Sequence, residues 1–196
     1  MKRSILPICA LIVLTLTAYS LPWIITPGVS LTLNAYDLAE WTGLNPTVRG
    51  GTIPLLPTLA LRLIPVLIIV WFGQVTTLPR WPRLMVTLMC AVALLPPLEF
   101  FTRDLDDPNF RQQFALAIFT VLTGGLIHAH TAEHWRSRLR LAALIALVLL
   151  SSGGLLVSAN RLRAYQLPVQ IGVGGILLIG FVVIGGILEL KTNEVT

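Results

Sequence analysis

Apolar residues come in six long blocks, at about 5–25, 53–75, 84–98, 110–129, 141–157 and 168–190, with most charged residues confined to the segments between them. Within a block the apolar positions run nearly unbroken, without the period of two that marks a half-buried strand. About 20 apolar residues carry a helix across a bilayer, and a helix satisfies its backbone hydrogen bonds internally, as hydrocarbon demands. The pattern predicts an all-α fold: a polytopic membrane helix bundle of about six transmembrane helices, forming one domain over 1–196. Four spans remain if the third and fourth blocks form a re-entrant pair. The third block is short and ends in Pro96-Pro97. The fourth is fully apolar only from Phe114 to Ile127, but Asp107-Pro108 makes a cap and first-turn pair. Its helix is therefore expected to begin earlier, with Arg111, Gln112 and Gln113 at the membrane interface.

Proline and glycine refine the picture. Pro54 and Pro57 suit a helix start, and Pro65 is expected to kink the interior of the second block. Gly124-Gly125, Gly153-Gly154 and the glycines of the last block suit close approach between membrane helices. The first block follows Met1-Lys2-Arg3 like a signal peptide, and Ala18-Tyr19-Ser20 resembles a cleavage site. Its apolar run continues to Ile25, so it reads as a retained anchor.

The longest interval, Thr26 to Thr52, predicts a short extracytoplasmic helix over Leu33–Asn45 between spans 1 and 2, with Asn34 as a cap and Pro46 as a stop. At helical spacing Leu33, Tyr36, Asp37, Glu40, Trp41 and Leu44 share one broad face. Carboxylates on an aromatic face are costly against lipid unless paired. The helix is therefore expected to dock on protein, with Asp37 and Glu40 meeting Arg49, Arg103, Arg161 or Arg163. The functional alternatives there are a small polar ligand or a divalent cation. The acidic loop Asp104, Asp106, Asp107 lacks the glycine and distal glutamate of a calcium loop.

Arg62 is the most expensive residue, a charge inside the second apolar block. Glu99 is its expected partner by depth, with carbonyls released by Pro57 or Pro65 as the substitute.

Charge sets orientation. The chain has 196 residues, 55% hydrophobic and 12% charged, with a net charge of +5. Soluble domains carry about 25% charged residues, so a water-soluble fold is not expected. With both termini cytoplasmic, Lys2, Arg3, Arg80, Arg83, Arg136, Arg138, Arg140 and Lys191 lie inside, and Arg49, Arg103, Arg111, Arg161 and Arg163 outside. The inner excess fits a bacterial-type inner (plasma) membrane protein. The basic residues form no single patch, so nucleic acid is not an expected partner. Trp135, Arg136, Arg138 and Arg140 form a collar suited to anionic lipid headgroups.

His128, His130 and His134 sit where the fourth block ends. His130, Glu133 and His134 match the H-x-x-E-H order of inverted zinc peptidases. The match is only five residues long and no catalytic domain surrounds it, so interfacial polar residues are the simpler reading. Cys9 and Cys90 lie within apolar blocks and read as small hydrophobes. Nothing matches a P-loop, a Rossmann fingerprint or a nucleophile elbow, and no cofactor or catalytic residue is expected. The expected function is a non-catalytic accessory or scaffold subunit of a larger membrane complex, in energy conversion or transport, with other membrane subunits as partners. The alternatives are a small transporter or channel using Arg62, and a membrane-embedded metal- or cofactor-binding enzyme using the histidines.

Overall fold

The computed structural model describes residues 6–29, 31–43, 56–73, 80–103, 105–130 and 133–193. The fold is mostly helical, 82% of the described residues lying in eight α-helices. In chain order these are α1 (Leu6–Ser20), α2 (Ala35–Gly43), α3 (Leu56–Gly73), α4 (Arg80–Ala93), α5 (Glu99–Thr102), α6 (Pro108–His130), α7 (Glu133–Ala164) and α8 (Val173–Asn193). Three short strands accompany them: β1 (Ile24–Thr26), β2 (Leu31–Leu33) and β3 (Gln170–Ile171).

The central helix is α3, which packs on α7, α6, α2 and α4, while α1 lies against α8. Its buried face includes Leu61, Ile64, Ile68 and Trp71. Close contacts set the directions of the helices. Gly154 of α7 meets Leu61, Gly185 of α8 meets Trp71 and Leu11, Gly174 meets Ala18, and Gly175 and Gly186 meet Leu155 and Leu144 of α7. Hence α3 runs antiparallel to α7, and α8 runs parallel to α3 and antiparallel to α1.

Among the described residues, two helices are long and apolar enough to cross a membrane, Leu56–Gly73 and the Trp135–Ala164 stretch of α7. Cys9–Ser20 and Val173–Leu188 are apolar but shorter. The six-block pattern thus translates only partly into helices of membrane length. At 1.5 Å per residue, the 14 residues of α4 reach about 21 Å, short of the roughly 30 Å of hydrocarbon. That chain segment leaves helical structure before Pro96-Pro97, as proline disfavours helix in the residue before it.

Two block ends fold as strand instead of helix. After α1 the chain turns at Pro22 into β1, which pairs antiparallel with both β2 and β3 in the order β2-β1-β3. The last block begins as β3, and α8 starts only at Val173. Gly172 makes this possible: a Cβ there would stand 2.3 Å from the Pro22 carbonyl oxygen. The Gly172 and Gly174 amides donate to the carbonyls of Trp23 and Pro22, each at 2.8 Å. Trp23 is fully buried beside them, its indole N–H donating to the Ala18 carbonyl at 3.0 Å.

Burial is distributed in an unusual way. Thr15, Thr58, Arg62, Thr87, Asn109, Gln113, Thr120, Ser151 and Ser158 are buried. Leu84, Met85, Leu88, Met89 and Val92 of α4 are exposed, as are Ile118, Phe119, Val121 and Leu122 of α6. Several of the buried hydroxyls bond back to their own helix, Thr15 to the Leu11 carbonyl and Thr120 to the Leu116 carbonyl, both at 2.7 Å.

Candidate functional site

The site is assembled by three helix starts. At the first, Asn34 caps α2: its Oδ1 accepts the Asp37 amide at 2.9 Å, and its carbonyl accepts the Leu38 amide at 2.9 Å. Asp37 then sits in the first turn, where the helix dipole favours a carboxylate. At the second, Asp107 caps α6, its Oδ1 accepting the amides of Asn109 at 2.8 Å and Phe110 at 3.3 Å, with Pro108 as the first helical residue. The third is the opening of α3, which brings Thr58 and Arg62 beneath α2.

Ala35, Leu38 and Ala39 are fully buried and Thr42 nearly so, while Trp41 is 46% exposed. The docking face of α2 is therefore its small-residue face, not the aromatic one expected from the charge pattern. Alanine lets the helix axis come close, and Thr42 Oγ1 lies 3.3 Å from Thr58 Oγ1. Glu40 reaches inward from the edge of this face, its side chain 20% exposed.

Arg62 is completely buried, and its Nη2 donates to Glu40 Oε1 at 2.6 Å. Its Nη1 donates to Asn109 Oδ1 at 2.9 Å, to the Asn109 carbonyl at 3.2 Å and to Gln112 Oε1 at 3.1 Å. Gln113 Nε2 donates to the same Glu40 oxygen. One guanidinium thus ties α2, α3 and α6 together, and one carboxylate neutralises it. Buried charge persists only when paired and hydrogen-bonded, and this arrangement supplies both conditions. Tyr36 stands at the rim, half-buried. Burial pushes its phenol above the ordinary range, and the Glu40 carboxylate pushes the same way against the opposing pull of Arg62. Around the core of the cluster, Tyr19 Oη, Arg62 Nε, Asn109 Nδ2 and Gln113 Oε1 are buried without a hydrogen-bond partner among the described residues.

The pairing expected between Arg62 and Glu99 is corrected. Glu99 opens α5 at the exposed surface, and Glu40 takes its place. Among the described residues the cation paired with Glu40 is accordingly Arg62. Arg103 is exposed, and Arg163 is exposed and donates to Asn160 Oδ1 at 3.2 Å. Arg161 is half-buried in the last turn of α7. Arg49 lies outside the described residues, as do the side chains of His128, His130 and His134. Arg111 pairs with Asp106 at the exposed start of α6 and donates to the Leu105 carbonyl at 2.6 Å. Trp135 is exposed, with the Arg138 guanidinium 5.3 Å from its ring centroid.

Asn109, Gln112 and Gln113 are the members that sequence reasoning did not assign to the site. Their signal was present: three amides at i, i+3 and i+4 opening an apolar block share one helix face. Among the described residues no group of three His, Cys, Asp or Glu side chains is placed to hold a metal. Comparison with protein-family models, with curated proteins and with solved structures gives no match.

Proposed function

We propose that this chain is a multi-pass inner-membrane protein and a non-catalytic scaffold subunit of a larger membrane assembly. The Arg62–Glu40 cluster then serves as the clamp that fixes the extracytoplasmic helix α2 over the bundle. The observation that carries this reading is the enclosure of Arg62, whose charge is met by Glu40 and the amides of α6. A guanidinium committed to its own fold holds structure in place.

The membrane setting is supported by the outward turn of the apolar residues. In water, exposed apolar patches of this extent are rare on monomers, whereas lipid makes them the expected surface. Hydroxyls bonded to their own helix carbonyls suit the interior of such a bundle. The up-and-down directions of α1, α3, α7 and α8 suit repeated crossing with both termini on the cytoplasmic side, and the shorter helices α1 and α4 then cross with help from flanking residues or local thinning.

The test is fractionation followed by purification in mild detergent. The expected result is recovery from the membrane fraction together with a stoichiometric partner. A folded, partner-free monomer in detergent contradicts the scaffold role, and recovery from the aqueous fraction contradicts the membrane setting.

A second reading is favoured by the unsatisfied atoms around Arg62. In it the cluster contacts a small polar solute in a transporter. Solute flux in proteoliposomes that is lost in Arg62→Met supports this reading over the first.

A further inference from the structure

We propose that the groove between α4 and the second half of α6 is a binding site for one anionic phospholipid, on the face opposite the Arg62 cluster. This inference rests on the membrane setting given above and assigns a specific place to a lipid. Arg80, Trp81 and Arg83 lie in the first turn of α4, which contains no acidic residue. Two guanidinium groups thus stand at this end of the groove. Arg136, at the start of α7, adds its charge to the surroundings of Arg83. The oxygens of a phosphate diester are suited to guanidinium donors of this kind.

The rest of the groove has the shape and chemistry of a chain-binding surface. It encloses about 500 Å³, and its lining continues from the arginines along Leu84, Leu88 and Val121 to Gly124 and Gly125. Trp81 is 74% exposed at the charged end, the position aromatic anchors take at a membrane interface. The glycines keep the groove open. Thr87 leaves no room for a side chain at Gly124, its Cγ2 standing 2.4 Å from where a Cβ would be. At Gly125 a Cβ would meet nothing within 4 Å, so that position faces open space. Charge at one end and an apolar trough at the other select an anionic lipid over a zwitterionic lipid and over a free anion.

The test uses the full chain, purified in detergent and titrated with dioleoyl-phosphatidylglycerol, dioleoyl-phosphatidylcholine or inorganic phosphate. Bound lipid is counted by native mass spectrometry. Each arginine near an anionic surface contributes about 1 kcal/mol, so removing two corresponds to a change on the order of thirtyfold. The expected result is retention of one phosphatidylglycerol at least about thirtyfold more tightly than phosphatidylcholine. That preference should fall by about thirtyfold in Arg80→Gln/Arg83→Gln. Gly125→Leu, which fills the trough and leaves the arginines in place, should weaken both lipids together.

Equal retention of the two lipids by the native chain overturns the proposal, whether or not the double variant folds. So does a preference for phosphatidylglycerol unchanged in the double variant, or full competition by inorganic phosphate. Purification of the chain as a soluble protein without detergent removes the membrane premise instead, and is thereby distinguished from failure of the lipid site.

Discussion

Glu40→Ala is the most informative single change. It removes the carboxylate from a guanidinium that has no solvent exposure and leaves Arg62 with only neutral acceptors on Asn109 and Gln112. Breaking a buried ion pair from one side costs about 3–5 kcal/mol, because the remaining charge is stranded. The Glu40 side chain is 20% exposed, so water screens part of this loss and the lower end, about 3 kcal/mol, is the appropriate figure. For a chain of 196 residues, with about 2–4 °C per kcal/mol, the melting temperature should fall by about 6–12 °C. Arg62→Met strands Glu40 in turn, but less severely, since that carboxylate keeps Gln113 and partial solvent contact. In the double variant Glu40→Leu/Arg62→Met no charge remains to be stranded, and replacing a buried pair by apolar groups is often neutral. The double variant should therefore recover most of the stability that either single change removes. Thermal unfolding followed by circular dichroism in one fixed detergent measures all three. Additive losses, or a Glu40→Ala variant within 1–2 °C of the native chain, would refute the clamp.

Other expectations follow from local geometry. Asn34→Ala removes the cap of α2 and should cost about 1 kcal/mol, read as faster amide hydrogen exchange confined to residues 35–43. Gly172→Ala forces a methyl against the Pro22 carbonyl and should cost at least 1–3 kcal/mol, whereas Gly180→Ala, with nothing near its Cβ, should be neutral or stabilising; comparable melting temperatures for the two would contradict the account of the β1–β3 junction. Tyr36 has a raised phenol in the folded chain, so the unfolded chain loses this proton first. The contribution of Tyr36 to stability is complete below its unfolded value near pH 10 and declines as pH rises through the higher folded value. Tyr36→Phe should remove that part of the alkaline loss, measured by urea unfolding at stepped pH.

What was readable in the sequence was what local chemistry decides. The cap at Asn34 and the Asp107-Pro108 start of α6 depend on neighbours within a few residues, and both helices begin there. Arg62 stood out because its apolar flanks make its charge costly wherever the chain folds. Its partner was not readable, because pairing depends on how α2 lies over α3. Depth along the chain pointed to Glu99, while the alanine face of α2 brought Glu40 closer. Gln112 and Gln113 read as interfacial because polar residues opening an apolar block look the same whether they face water or a buried cation, and Asn109 carried no separate signal. Strands of two or three residues carry no periodic signal, so the ends of the first and last blocks looked like helix. Among the described residues two helices are both long and apolar enough to cross a membrane, because an apolar block records composition and not where Pro22 or Pro96-Pro97 ends a helix.

The pairing of Ile24 with Ile171 joins two segments that are far apart along the polypeptide and are therefore made at different times. While a ribosome is still elongating, β1 has β2 beside it but presents its other edge unmatched. That edge stays open until Gly172 has emerged and α8 has folded back onto α1. The sheet therefore closes only once β3 has been made, and a nascent chain stalled before it carries an adhesive edge for quality-control factors to recognise.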